Sequence, residues 1–260
     1  MFKYFLFSDV HGCATILIES LHEAGFDIFN PNHILIGVGD YFDRGNENQE
    51  IYNFLKSIPV ERKYLVFGNH DEMLLDYLEG RDDGYFNAEY NGLWNTITNL
   101  AARNLTQWEV LHELITLRYE VVNENPKLID FLKEMRIGFK LDNYIITHAG
   151  FKPQYHRDYY RKDDKPVFNS DVWASTPEFI RMTRKKHEDF TFIVGHWHAS
   201  KLNGEFLQMK TNHKTFKYRN YIGLDACSNV SEMINVYVIE TNSKPVAFGN
   251  KHTLEDVKKM

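Results

Sequence analysis

Five short segments of this 260-residue chain place oxygen and imidazole donors directly after apolar runs. They are Asp9-Val10-His11-Gly12, Gly39-Asp40-Tyr41-Phe42-Asp43-Arg44-Gly45, Gly68-Asn69-His70-Asp71, His148-Ala149-Gly150 and Gly195-His196-Trp197-His198. Carboxylate, amide and imidazole ligands with no thiolate suit Mn²⁺, Fe, Zn²⁺, Ni²⁺ or Mg²⁺. Two such ions about 3.5–4 Å apart can clamp a phosphoryl group and turn water into hydroxide. A lone histidine is an ordinary core or surface residue; histidines inside five such segments, in this order, are a candidate metal centre.

Each residue type has a place in that chemistry. Asp9 and His11, two residues apart, can turn toward a first cation. Asp40 offers a carboxylate able to bridge two cations. Asn69 supplies an amide oxygen without adding charge that would repel a phosphate. His148 and His196 complete a second cation site, and His198 can reach back to the first. His70, beside Asn69, is placed as a general acid for the leaving oxygen. Asp43 can hold its other ring nitrogen, and Arg44 presents a planar fork to phosphate oxygens. Substrate would therefore meet Arg44, Asn69 and His70. Asp71 reads as a helix N-cap, and Gly39, Gly45, Gly68 and Gly195 read as sharp turns beside the cations. Trp94, Trp108 and Trp173 read as core, as do the other histidines as ordinary packing or surface residues.

Elements of regular structure must carry these segments. Strands over 2–7, 33–38 and 63–67 alternate with helices over 15–24, 48–58 and from 73 onward, a pattern of parallel strands with crossover helices. Ligands in such sheets gather at the carboxyl ends of the strands, where Asp9, Asp40 and Asn69 fall. The stretch 81–136 changes character and reads as a helical insertion, with helices near 107–118 and 126–134. Strands are expected over 137–141, 144–147, 190–194, 218–224, 233–239 and 245–248, with a tight turn at Asp142-Asn143 and a polar loop over 155–166. Ligands come from both halves, so one domain over 1–260 is expected.

Composition narrows the class. Hydrophobic residues form 43% of the chain, enough for a sizeable core. The net charge of −6 argues against general nucleic-acid or anionic-membrane binding through bulk charge. Cys13 and Cys227 are the only cysteines, which fits a reducing compartment. No secretory leader is read at the amino terminus, and no apolar run approaches the ~20 residues of a membrane span. A cytoplasmic location is the expectation; oligomeric state is left open.

The segments resemble the calcineurin-like metallophosphoesterases, and within them the phosphoprotein phosphatase family. The nearest likeness is to the bacteriophage lambda type and related bacterial enzymes. It extends to Gly25-Phe26-Asp27, Arg44-Gly45-Asn46-Glu47-Asn48, Asn91-Gly92-x-Trp94, Thr191-Phe192-Ile193-Val194-Gly195-His196 and Leu224-Asp225-Ala226-Cys227. The resemblance implies two mixed β-sheets packed as a sandwich flanked by helices. It also implies a dinuclear centre of Mn²⁺ or Fe/Zn type, attack by metal-activated hydroxide without a phosphoenzyme, and phosphorylated protein as substrate. Three departures bear on substrate. Ser8 stands where many members have glycine. Phe67 stands where the protein phosphatases place a phosphate-binding arginine, a duty for which Arg181 and Arg184 are candidates. The second histidine, His198, is typical of the wider superfamily. The Gly-His-Trp and Gly-Asn-His-Asp segments also resemble symmetrical diadenosine tetraphosphate hydrolases. A nucleotide or phosphodiester substrate is therefore the alternative, and a non-catalytic metal-binding interaction protein is a third reading.

Overall fold

A computed structural model describes residues 1–150, 177, 180, 189–209, 211–249 and 260. The expected loop over 155–166, Trp173, Arg181 and Arg184 lie outside the described residues.

The first half winds as the periodicity predicts. Strand β1 (Phe2–Phe7) leads to helix α1 (Ala14–Glu23), β2 (His33–Val38) to α2 (Asn48–Ser57), and β3 (Lys63–Val66) to α3 (Asn69–Leu78). These strands are parallel, with β2 between β1 and β3. Four helices follow, α4 (Tyr85–Tyr90), α5 (Leu93–Leu100), α6 (Gln107–Glu124) and α7 (Leu128–Lys133). Helix α6 buries Val110, Leu114, Leu117 and Val121, one stripe at helical spacing. It starts at a capping box in which the Thr106 hydroxyl accepts from the Glu109 N–H and the Glu109 carboxylate accepts from the Thr106 N–H.

The second half is built from β4 (Gly138–Leu141), β5 (Tyr144–Thr147), β6 (Thr191–Val194), α8 (Ala199–Leu207), β7 (Phe216–Tyr218), β8 (Tyr221–Gly223), α9 (Ser228–Ser231), β9 (Tyr237–Thr241) and β10 (Val246–Phe248). Strand β9 pairs antiparallel to β1, so the chain's late segment closes the first sheet in the order β3-β2-β1-β9. The second sheet runs β10-β4-β5-β6-β8-β7. Both sheets are mixed, as expected. Tyr4, Leu6, Ile34, Ile36 and Val38 pack between the sheets against Phe139, Leu141, Ile146, Ile193 and Ile222. The alternate residues Phe5, Phe7 and Leu35 face the helices of the first half. The two-residue side-chain period of a strand thus feeds two separate cores. Ile145, Phe192 and Tyr221 pack with Ala199 and Leu202 of α8 on the far side.

Several expectations need correction, among them Trp108, read as core and here exposed. Helix α3 begins at Asn69, because Asp71, its third residue, accepts from the Gly68 N–H and starts the helix early. The strand expected over 218–224 is a hairpin, β7 and β8, turning at Arg219-Asn220 with Arg219 left-handed at φ 54°. The strand expected from 233 begins at Tyr237: the Asn235 amide instead takes bonds from Thr215 N–H and gives them to the carbonyls of His213 and Leu224. The turn at Asp142-Asn143 is present, with Asp142 at φ 51°.

Candidate metal centre

The site forms where the carboxyl ends of β1, β2, β5 and β6 meet the start of α3 and the segment after β8. Asp40 lies at its middle. The Asp40 Oδ2 atom is 3.3 Å from His148 Nε2 and 3.8 Å from His11 Nε2. Its Oδ1 accepts the His70 backbone N–H at 2.9 Å. Two groups of donors, each with all ligand atoms within 4.8 Å of one another, share this residue: His11, Asp40 and His70, and Asp40, His148 and His196.

The imidazoles are aimed from behind. His11 Nδ1 bonds the Phe42 carbonyl at 3.0 Å, and His148 Nδ1 bonds the Val38 carbonyl at 2.7 Å. A carbonyl only accepts, so each Nδ1 carries a proton and each Nε2 is turned toward Asp40. This is the outer hydrogen bonding that orients metal-binding histidines. Asn69 Oδ1 lies 3.2 Å from His148 Nε2. The Asp9 carboxylate accepts the His196 N–H at 3.1 and 3.0 Å and also the Ser8 hydroxyl. His198 stands 4.0 Å from Asp225, outside both tight groups.

The backbone is strained where the candidate site residues emerge. Asp9, His11, Asp40, Asp43, Arg44 and His196 all have positive φ, between 46° and 72°. Such conformations cost energy in non-glycine residues and persist where the surroundings over-determine them. Among the glycines, Gly39 does turn left-handed, at φ 89°. Gly68 and Gly195 act differently from the sharp turns expected: a Cβ on Gly68 would strike Asp40, and one on Gly195 would strike Ser8 and Asp9. They permit close approach.

Asp71 is not the N-cap expected, since Gly68 holds that position and Asp71 is the third residue of the helix. Its carboxylate accepts from the backbone N–H groups of Asp40 at 2.9 Å, Tyr41 at 3.1 Å and Gly68 at 2.8 Å. One buried side chain ties the Asp40 segment to the start of α3. Phe67 belongs to the buried core that includes Phe5, Phe7 and Leu65 and is 1% exposed. Among the described residues, Arg44 is the guanidinium at the site.

Asp225 is the residue that sequence reasoning left out of the site. It is buried, faces His198, and its charge is felt by Asp9. Its only sequence signal is its place just after the apolar Tyr221–Gly223 strand, in the resemblance segment Leu224-Asp225-Ala226-Cys227. Ser228 binds the loop from behind, donating to the carbonyls of Asp9 and Val10.

The electrostatics fit residues that can take up cations. Burial and the facing Asp225 charge push the Asp9 carboxyl well above the ordinary carboxylate range. Burial and Asp40 push Asp71 up to about 7. Burial alone would lower His148, but Asp40 overrides it and pushes the value up to about 10. Burial, reinforced by His148, pushes His196 down to about 3. Carboxylates are crowded together in a dry site and offset by protons, which is the state that cations relieve. Buried nitrogen and oxygen donors around one shared carboxylate fit a pair of divalent ions.

A pH dependence follows. His148 and Asp71 have folded values above their ordinary 6.5 and 3.8. Their stabilising protons are fully bound below those ordinary values and are lost as pH rises through about 7 for Asp71 and about 10 for His148. His196 works oppositely, weakening the fold as pH falls from 6.5 toward about 3. The chelated protein is therefore expected to lose several degrees of Tm between pH 6.5 and 9.5. A divalent cation held by His148 would displace its proton, so the stabilising shift given by added Mn²⁺ should grow over that range. Calorimetry with and without Mn²⁺ checks this; a Mn²⁺ shift independent of pH refutes it.

At the edge of the centre, His70 Nδ1 lies 2.8 Å from Asp43 Oδ2, and His70 Nε2 lies 3.0 Å from Arg44 Nη2. Burial alone would lower His70, but Asp40 and Asp43 outweigh it and raise the value. Arg44 only donates, so its contact with Nε2 fits the neutral ring, whereas the carboxylates favour the charged one. The contact describes a resting arrangement in which Arg44 occupies the position of a proton.

With this geometry in view, the chain belongs to the calcineurin-like phosphoesterase family, whose pattern matches residues 2–223. It is thus a metallophosphoesterase, a hydrolase whose family uses divalent metal ions. Serine/threonine-protein phosphatase 2 of Salmonella typhimurium is 26% identical over 191 residues, covering 72% of this chain and 76% of that protein. The asymmetrical bis(5'-nucleosyl)-tetraphosphatase PrpE of Bacillus velezensis is 26% identical, covering 70% of each. The symmetrical bis(5'-nucleosyl)-tetraphosphatase of Proteus mirabilis is 39% identical over 184 residues, covering 66% of this chain and 58% of that one. Among solved structures, the cold-active protein-tyrosine phosphatase of a psychrophilic Shewanella aligns over 96% of this chain and 79% of that one, with a TM-score of 0.52 and 14% identity. A mutant cold-active protein tyrosine phosphatase aligns with a TM-score of 0.57 at 16% identity, over 96% and 78%. These likenesses concern the fold. No helix of the described residues is long and apolar enough to cross a membrane.

Proposed function

We propose that this chain is a phosphomonoesterase with a pair of divalent cations, Mn²⁺ foremost, acting on phosphoserine and phosphothreonine in proteins. The observation that carries it is Asp40, shared by the two donor groups, with the His70–Asp43–Arg44 cluster at their edge. Asp9, His11, Asn69, His148, His196 and His198 complete the proposed ligand set, with Asp225 added. When bound, the cations would polarise the phosphoryl oxygens and lower the pKa of the attacking water.

The chain's own groups do the rest. Arg44 swings from His70 Nε2 to the phosphoryl oxygens as the ester enters. The vacated Nε2 takes a proton from solvent and delivers it to the leaving oxygen, while Asp43 keeps Nδ1 in place. Asn69 contacts the same phosphoryl group without adding negative charge. The relatedness to the Salmonella phosphatase supports the protein substrate.

A second reading takes dinucleoside polyphosphates as substrate. The burial of Phe67, where protein phosphatases present a cation, and the 39% identity to the Proteus tetraphosphatase favour it. The deciding measurement is kcat/KM with Mn²⁺ on a phosphothreonine peptide and on diadenosine tetraphosphate in one preparation. A tenfold preference for the peptide, about 1.4 kcal/mol, supports the first reading; preference for the dinucleotide replaces it with the second. Exhaustive chelation should abolish turnover, with Mn²⁺ restoring it best. Full activity after verified metal loss would refute both readings.

A further inference from the structure

Helix α5 reaches from the 81–136 stretch to the residues that carry the proposed proton. Its Thr96 is fully buried. The Thr96 hydroxyl accepts the Asp43 backbone N–H at 2.9 Å and donates to Asp43 Oδ1 at 2.6 Å. An N–H only donates, so its contact occupies a hydroxyl lone pair. The single hydroxyl proton is left for the carboxylate. With Oδ1 engaged there, Oδ2 points to His70 Nδ1 at 2.8 Å.

The same helix grips the next residue. Gly92, which precedes α5, accepts the Arg44 N–H at 3.2 Å, and the Asn95 side-chain amide donates to the Arg44 carbonyl. A Cβ on Gly92 would press on Arg44 N at 2.6 Å. Asp43 and Arg44 are consecutive non-glycine residues at φ 72° and 68°, a conformation that needs external restraint. Asn48 supplies part of it, accepting the Asp43 N–H at 3.0 Å. Helix α5 and the residue before it supply more.

We infer that Thr96 is a positioning residue for the proton-donating step: through Asp43 it fixes the ring of His70, and α5 thereby couples the 81–136 helices to the chemistry. It acts at one remove and touches neither cation ligands nor substrate. The inference rests on the phosphomonoesterase reading above, and its consequence is selective. An alkyl leaving oxygen, as in phosphothreonine, must be protonated as it departs. A nitrophenolate departs as a stable anion and gains little from an acid.

The test compares Thr96→Val, Thr96→Ser and wild type, each loaded with Mn²⁺, on a phosphothreonine peptide and on p-nitrophenyl phosphate. Thr96→Val should lose roughly tenfold to a hundredfold in kcat on the peptide, the range that loss of an outer hydrogen-bonding partner produces at metal sites. KM and p-nitrophenyl phosphate turnover should stay near wild type, and Thr96→Ser should recover most of the lost rate. The His70 Nδ1–H proton resonance should be present in wild type and Thr96→Ser and weakened or shifted in Thr96→Val. Equal loss on both esters, or loss on neither, overturns the inference. If Thr96→Val fails to fold, Thr96→Ala carries the same comparison. If wild type hydrolyses neither ester, the function proposed above fails, and the resonance alone decides whether Thr96 positions His70.

Discussion

Asn in place of Asp40 should lower kcat/KM by at least about 10³-fold, about 4 kcal/mol of transition-state stabilisation. The same variant should bind fewer than two cations per chain. Asp40 Oδ2 is the oxygen that both donor groups share, at 3.3 Å from His148 and 3.8 Å from His11. An amide keeps the shape and can still accept the His70 N–H through Oδ1, so the fold's local contact survives. What is lost is the negative charge of the carboxylate that both donor groups share, together with the partner that raises His148. Titration with Mn²⁺ followed by elemental analysis checks the stoichiometry, and steady-state kinetics checks the rate. Two tightly held cations with wild-type turnover would overturn the role proposed for Asp40.

His70→Asn should behave differently, and the difference separates two roles that the geometry leaves adjacent. The His70 ring shares a 4.8 Å group with His11 and Asp40, as a ligand would. Yet Nδ1 is bonded to Asp43 and Nε2 to Arg44, so a cation would have to displace one of them. With His70 as the proposed general acid, its loss should cost roughly 10²–10³-fold in kcat on a phosphothreonine peptide, within the range for positioned proton donors. Cation stoichiometry should stay at the wild-type value. A variant that loses one cation per chain would make His70 a ligand and move the proton to another group.

Much of the architecture was legible in the chain order. The repeated apolar run, polar ligand segment and amphipathic helix in the first half read directly as β1-α1, β2-α2 and β3-α3, and the structure has them. The reason is local: a buried parallel strand needs a continuous apolar stretch, and its crossover helix needs an apolar stripe. The second half was harder to bound. Its strands are three to five residues long, and a single turn pair such as Arg219-Asn220 or one side-chain amide such as Asn235 decides where a ladder ends. Helix α8, starting after His198, was missed because its few apolar positions look like a loop without the strands it covers.

The sequence by itself determined the kinds of donor atom, their order along the chain, and their location just beyond strands, because ligand type and strand patterning are properties of neighbouring residues. It also carried the Asp43–His70 pairing as an expectation, since each residue lies inside a recognisable segment. The tertiary structure decided what meets what across long separations. It brought Asp225 to Asp9, aimed the imidazoles of His11 and His148 through the carbonyls of Phe42 and Val38, tied Asp40 to α3 through Asp71, and set Thr96 behind Asp43. It turned Phe67 into the core, where a sequence position suggested a substrate contact. These are contacts between residues tens to hundreds of positions apart. They depend on sheet order and on the strained backbone at Asp43 and Arg44, which no periodicity encodes.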